Sequence, residues 1–100
     1  MSGDDENLGF APPPFNAEQS LEQLKRALRD LKLAARGTGF ELRGKRVAEF
    51  ELDGALIRGR VARRLALTPE WDRIEIKSTT EQRKCVDDLK KRVERWEREE

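Results

Sequence analysis

The sequence has no histidine and no tyrosine in its 100 residues. Without imidazole, the chain has no side chain suited to acid–base catalysis near neutral pH, no Ser-His or Cys-His nucleophile pair and no histidine-based metal site. Hydrolysis by two carboxylates needs a pocket, and a chain with 36% apolar residues leaves little room for one. We therefore expect a protein that is not an enzyme, with no metal, cofactor or small-molecule substrate.

Long apolar runs and paired cysteines are also missing. No run approaches the roughly 18 residues that a membrane span requires, so we expect no membrane association. The first residues are acidic and lack the basic and apolar regions of a signal peptide. The one cysteine, Cys85, cannot form a disulfide within the chain and is expected to be a buried, unreactive side chain. These features predict a cytoplasmic location.

Charge is what the sequence has in abundance, since 41% of its residues are acidic or basic. The 21 basic and 20 acidic residues leave a net charge of +1. This balance gives no overall attraction to nucleic acid or to acidic membranes. Any affinity for phosphate groups must therefore come from a local basic patch.

The first fifteen residues differ in composition from the rest. Residues 1–15 combine three consecutive acidic residues with the run Pro12-Pro13-Pro14, a composition that predicts a disordered acidic and proline-rich leader. Residues 16–98 carry continuous apolar patterning. They are expected to form a single α+β domain.

Asp53-Gly54 predicts the turn of a central β-hairpin, because the type I′ turn of a two-residue loop needs positive φ at both positions. The predicted register places Phe50 opposite Ile57 and Glu49 opposite Arg58. One face then carries apolar side chains: Ala48, Phe50, Leu52, Ile57 and Val61. The other face carries mainly charged ones: Val47, Glu49, Glu51, Leu56, Arg58, Arg60 and Arg64.

A helix with a clean apolar stripe is predicted ahead of the sheet. Asn16 is the expected N-cap and Gly37 the expected residue just past the C-terminal end. The stripe consists of Leu21, Leu24, Leu28, Leu31 and Ala35. A basic stripe runs beside it, and Leu33 points away from the apolar stripe toward solvent.

The remaining segments predict two further strands and a second helix. Gly39–Arg43 is expected to join the hairpin through a three-residue loop at Gly44 followed by a bulge. A short helical turn at 68–70 precedes a strand at Trp71–Lys77. The last helix, capped by Ser78 or its neighbour, presents a second apolar stripe: Cys85, Val86, Leu89, Val93 and Trp96. Trp96 is expected to close the core, and Trp71 to lie on the outer face or in a groove.

The predicted fold is therefore α+β, in the order α-β-β-β-β-α. A four-stranded antiparallel meander packs both helices on its apolar face and leaves the charged face to solvent or a partner. An open sheet of this kind predicts a small protein-interaction or assembly domain that self-associates through the sheet. The alternative is a nucleic-acid-binding module. The candidate interaction surface consists of the basic residues of helix one and the hairpin region: Lys25, Arg29, Lys32, Arg36, Lys45, Arg46, Arg58, Arg60 and Arg64.

Overall fold

The computed structural model describes residues 15–99, which form two helices and five antiparallel strands in the order α-β-β-β-β-β-α. The elements are α1 (Ala17–Asp30), β1 (Ala34–Arg36), β2 (Gly39–Leu42), β3 (Lys45–Asp53), β4 (Leu56–Ala62), β5 (Trp71–Ile76) and α2 (Thr79–Arg98). The strands lie in the sheet in sequence order. The α+β class and the meander are confirmed, and the strand count was one too low. The predicted leader falls almost entirely outside the described residues.

The additional strand exists because α1 ends at Asp30, and not at the residue before Gly37, where the sequence predicted its end. Lys32 has a φ of 68°, its N–H donates to the Arg29 carbonyl at 2.8 Å, and the Leu33 N–H donates to the Leu28 carbonyl at 3.3 Å. This is the hydrogen-bond pattern of a Schellman C-cap, in which the apolar residue after the left-handed one packs back on the last turn. Leu33 is accordingly buried, at 3% exposure, and its predicted exposure was wrong.

The central hairpin keeps the predicted side chains on its apolar face but has a different turn. Its loop is Gly54-Ala55, with Asp53 opposite Leu56, and only Gly54 has positive φ, as in a type II′ turn. The register is therefore displaced by two residues: Phe50 faces Gly59, Glu49 faces Arg60 and Glu51 faces Arg58. A displacement by two preserves which side chains share a face, because strand side chains alternate with a period of two.

The connection between β2 and β3 is a two-residue loop, not the predicted three-residue one. Arg43 and Gly44 both have positive φ, as a type I′ turn requires. A register shift beside Phe40 and Glu41 leaves Val47 as an extra residue in β3. This β-bulge brings Val47 into the core with 0% exposure, so its predicted place on the charged face was wrong.

Both helices begin at the predicted caps and pack on the apolar face of the sheet. Asn16 Oδ1 accepts from the Gln19 N–H at 3.0 Å, and Ser78 Oγ accepts from the Glu81 N–H at 3.1 Å. Ser20 and Gln82 form a buried hydrogen bond between the helices. Trp96 is buried as predicted, whereas the segment between β4 and β5 contains no helical turn at 68–70.

Candidate functional site

The outer face of the sheet, opposite the helices, is a network of paired charges centred on Glu49. Its carboxylate accepts from Arg46 Nη1 at 2.8 Å and from Arg60 Nε at 2.9 Å. Partial burial alone raises the pKa of the Glu49 carboxyl, but the hydrogen bonds and charges of Arg60 and Arg46 outweigh it, so the net pKa is lowered. Glu49 therefore stays ionised and ties β3 to β4 on this face.

Arg46 also lies over the ends of β1 and β2, the first two strands from one edge of the sheet. Its guanidinium lies across Gly39, in the space that a Cβ at that position would occupy, and its Nη2 lies 3.5 Å from the Arg36 carbonyl oxygen. Arg36 in turn approaches Glu41 at 3.8 Å. The strand at this edge, β1, is only three residues long. A short strand with charged side chains is a common protection against edge-to-edge pairing.

Trp71 lies on the outer face near the opposite edge, with the Arg60 guanidinium 4.3 Å from the centre of its ring. Arg73 stands directly across from Arg60 in the β4–β5 ladder. Like charges in this position repel each other. Among residues 15–99 the Arg73 guanidinium has no carboxylate partner, whereas its neighbour Glu75 lies 3.4 Å from Arg58.

Among residues 15–99, the backbone of β5 has no partner on its outer side. The Arg63 N–H donates to the Glu70 carbonyl at 2.9 Å, which makes these two residues a hydrogen-bonded pair at the head of the β4–β5 ladder. Hydrogen-bonded and non-hydrogen-bonded pairs alternate in an antiparallel ladder. Residues 72, 74 and 76 therefore bond to β4, and the N–H and C=O groups of Trp71, Arg73 and Glu75 point away from the sheet.

An apolar groove runs between β5 and α2 on the inner side of this edge. Its floor consists of Val61, Ile74, Ile76 and Cys85. Its rim carries Glu81, Lys84 and Asp88 from α2. Burial, reinforced by Asp88, raises the pKa of the Cys85 thiol to about 12. Cys85 is therefore a neutral, unreactive part of the groove at physiological pH.

Arg92 of α2 holds the start of β5 in place. Its side chain is 17% exposed and donates to the Ala62 carbonyl at 2.9 Å, to Asp72 at 3.1 Å and to Asp88 at 2.8 Å. Asp72 also accepts from Arg63 Nε at 2.7 Å. The hydrogen bonds from Arg63 and then Arg92 lower the pKa of the Asp72 carboxyl. This network fixes the edge strand against the body of the domain.

The structure does not bring the predicted basic residues to one surface. Arg36, Arg46, Arg58 and Arg60 share the outer face, and each lies within 4 Å of at least one carboxylate. Lys25 and Arg29 lie on α1, on the other side of the sheet. Lys32 is the left-handed residue after α1, Lys45 follows the β2–β3 turn, and Arg64 lies in the link after β4.

The residues that distinguish the open edge were missing from the predicted surface. Trp71, Arg73, Ile74 and Glu75 belong to one strand in which apolar and charged side chains alternate. That alternation was visible in the sequence and identified the strand. It did not show that this strand lies at an edge, which depends on the order of strands in the sheet.

Comparisons with known proteins find no similar family, no similar curated protein and no similar solved structure. No helix within residues 15–99 is long and apolar enough to cross a membrane. The same part of the chain contains no cluster of three or more cysteine or carboxylate side chains arranged to hold a metal ion.

Proposed function

We propose that this chain is a small, non-enzymatic assembly domain whose copies pair through the open edge of β5. The observation that carries the proposal is the six-residue edge strand whose outward N–H and C=O groups have no partner within the described part of the chain. Such an edge is a template for pairing with another strand. Addition of a strand from a second copy supplies those groups with hydrogen bonds.

The contrast between the two edges supports this choice of surface. At the first edge, β1 has only three residues, all of them exposed, and it ends at the charged Arg36. At the other edge, β5 is twice as long and carries neither a proline nor a register shift against β4. Its charged side chains alternate in sign, so they complement a second copy of the strand instead of repelling it.

A cytoplasmic assembly is part of the proposal. The only cysteine is a neutral thiol that the α2 groove largely buries, so the domain depends on no disulfide. Proteins that keep reduced thiols without disulfides are typical of reducing compartments. The partner that we propose is a second copy of this chain, because the charges along β5 complement themselves.

Replacing Arg73 with proline tests the proposal, because proline removes an outward N–H and leaves the β4 ladder intact. We expect the wild type to sediment with a mass that rises from 11.6 kDa toward twice that value with concentration. The Arg73→Pro variant should remain at the monomer mass and keep its cooperative urea transition.

The matched control is Ile74→Pro, one position along the strand. The Ile74 N–H bonds to β4, so this variant should lose stability as well as assembly. A wild type that stays at 11.6 kDa at millimolar concentration would overturn the proposal. A dimer that tolerates Arg73→Pro would place the interface elsewhere on the molecule.

The alternative function is nucleic-acid binding by the outer face, and the position of Trp71 favours it. Trp71 is an outward aromatic beside Arg73, which has no carboxylate partner among residues 15–99, and bases can stack on such side chains. Titration with mixed-sequence DNA and RNA across a salt series separates the two functions. Phosphate binding predicts an affinity that falls steeply with salt, whereas the assembly function predicts no saturable binding.

A further inference from the structure

We infer that two copies pair antiparallel about Ile74, in a register that two reciprocal Arg73–Glu75 ion pairs define. The inference rests on the proposed function, since it specifies how the β5 edge meets itself. Three observations support the inference. They are the alternation of outward and inward backbone groups along β5, the order of charged side chains on that strand, and the half-buried Ile74 beside the groove.

The alternation of outward and inward backbone groups along β5 limits the possible registers. Trp71, Arg73 and Glu75 present their N–H and C=O groups outward, so hydrogen-bonded pairs with a second copy must join odd-numbered residues to odd-numbered residues. An antiparallel pairing with twofold symmetry must also place one residue or pair at the axis. The registers that overlap most of the strand are then centred on residue 73 or residue 74, and each of them pairs five of its six residues.

Electrostatics separates these two registers. Centring on Arg73 places Arg73 against the Arg73 of the second copy. Like charges directly opposite each other destabilise a sheet. Centring on Ile74 places Arg73 opposite the Glu75 of the second copy, twice, and places Trp71 opposite Lys77. Arg73 thereby gains the carboxylate that it lacks among residues 15–99.

The inner face is compatible with the same register. Ile74 is half-buried at the groove, and its central position makes it a non-hydrogen-bonded pair with the Ile74 of the second copy, where side chains approach most closely. Asp72 lies opposite Ile76 of the second copy. Its charge is already neutralised within its own subunit by Arg63 and Arg92, so it does not enter the contact as an isolated carboxylate.

Charge exchange tests the ion pairs. Arg73→Glu alone places two carboxylates opposite each other at two points, and Glu75→Arg alone places two guanidiniums there. We expect each variant to raise the dimer dissociation constant at least tenfold. An equimolar mixture should restore a 1:1 heterodimer, because every Glu then meets an Arg. A single chain that carries both substitutions should pair with itself again.

Cysteine cross-linking tests the centre of the register. In a Cys85→Ala background, Ile74→Cys should form a disulfide dimer on mild oxidation, because position 74 meets its own copy. Ile76→Cys, which faces position 72, should stay monomeric on a reducing-agent-free gel. Both proteins retain the ion pairs, so each serves as the control for the other.

The outcomes of these experiments separate a failure of the proposed register from a failure of the proposed function. If the wild type dimerises and Arg73→Pro prevents it, but Ile74→Cys does not cross-link and the charge variants do not rescue each other, the register is wrong and the edge interface stands. If the wild type never dimerises, the proposed function fails and the register fails with it.

Discussion

Replacing Gly59 with alanine should lower the free energy of unfolding by about 3 kcal/mol, the upper part of the range for overpacking a core. A Cβ built at Gly59 lies 2.5 Å from both the Glu49 carbonyl oxygen and Phe50 Cδ1. The Phe50 ring, 2% exposed, occupies the space beside this glycine in the middle of the hairpin. The ring or the strand must therefore move to admit a methyl group. Urea unfolding measures the loss.

The same substitution in a Phe50→Leu background provides the control. Because the smaller side chain vacates part of the space, the loss from Gly59→Ala should shrink in that background, and the difference is the coupling between the two sites. Gly37→Ala is a second comparison, since nothing lies within 4 Å of the added Cβ and only the positive φ is penalised. A neutral Gly59→Ala would mean that Phe50 packs elsewhere.

Replacing Leu33 with alanine should cost about 2–5 kcal/mol, the range for truncating a buried leucine. Leu33 is 3% exposed and closes the C-terminal end of α1 against the core. Leu67→Ala is the matched control. Leu67 is 81% exposed in the link between β4 and β5, so its truncation should change stability by no more than about 0.5 kcal/mol.

Equal effects of the two leucine substitutions would contradict the Schellman cap and support a helix that continues through Leu33. Amide hydrogen exchange independently tests where α1 ends. In the described structure the Leu33 N–H bonds to the Leu28 carbonyl, so it should exchange with the helix and not with the solvent-exposed β1.

Features that depend on local chemistry were predictable from the sequence. Asn16 and Ser78 predicted where the two helices begin. A capping side chain accepts from a free N–H group of the first turn, which lies a fixed number of residues later in the sequence. The alternation around Phe50 and Ile57 correctly placed these two side chains on the apolar face, whereas Val47 was assigned to the wrong face. These signals lie within a few residues of the structure that they determine.

Features for which the sequence allowed two competing local structures were not predictable from such local signals. The helix stripe continued through Leu31 and Ala35, but a left-handed Lys32 ended the helix without the glycine that usually marks this cap. The dipeptide Asp53-Gly54 favoured a two-residue turn made of these two residues. In the structure Asp53 pairs with Leu56, so the turn lies one position further along, at Gly54-Ala55. The candidate edge depends on sheet order, which no local pattern in β5 specifies.

The strict sequence order of the strands has a consequence for how the domain folds. Every strand pair joins neighbours along the chain, and three of the connections are tight two-residue turns, so little loop entropy is lost as each hairpin closes. The contact between Ser20 and Gln82, which are 62 positions apart, has no such advantage. We therefore expect the sheet to grow hairpin by hairpin, with the docking of the two terminal helices as the late step that makes the whole chain cooperative.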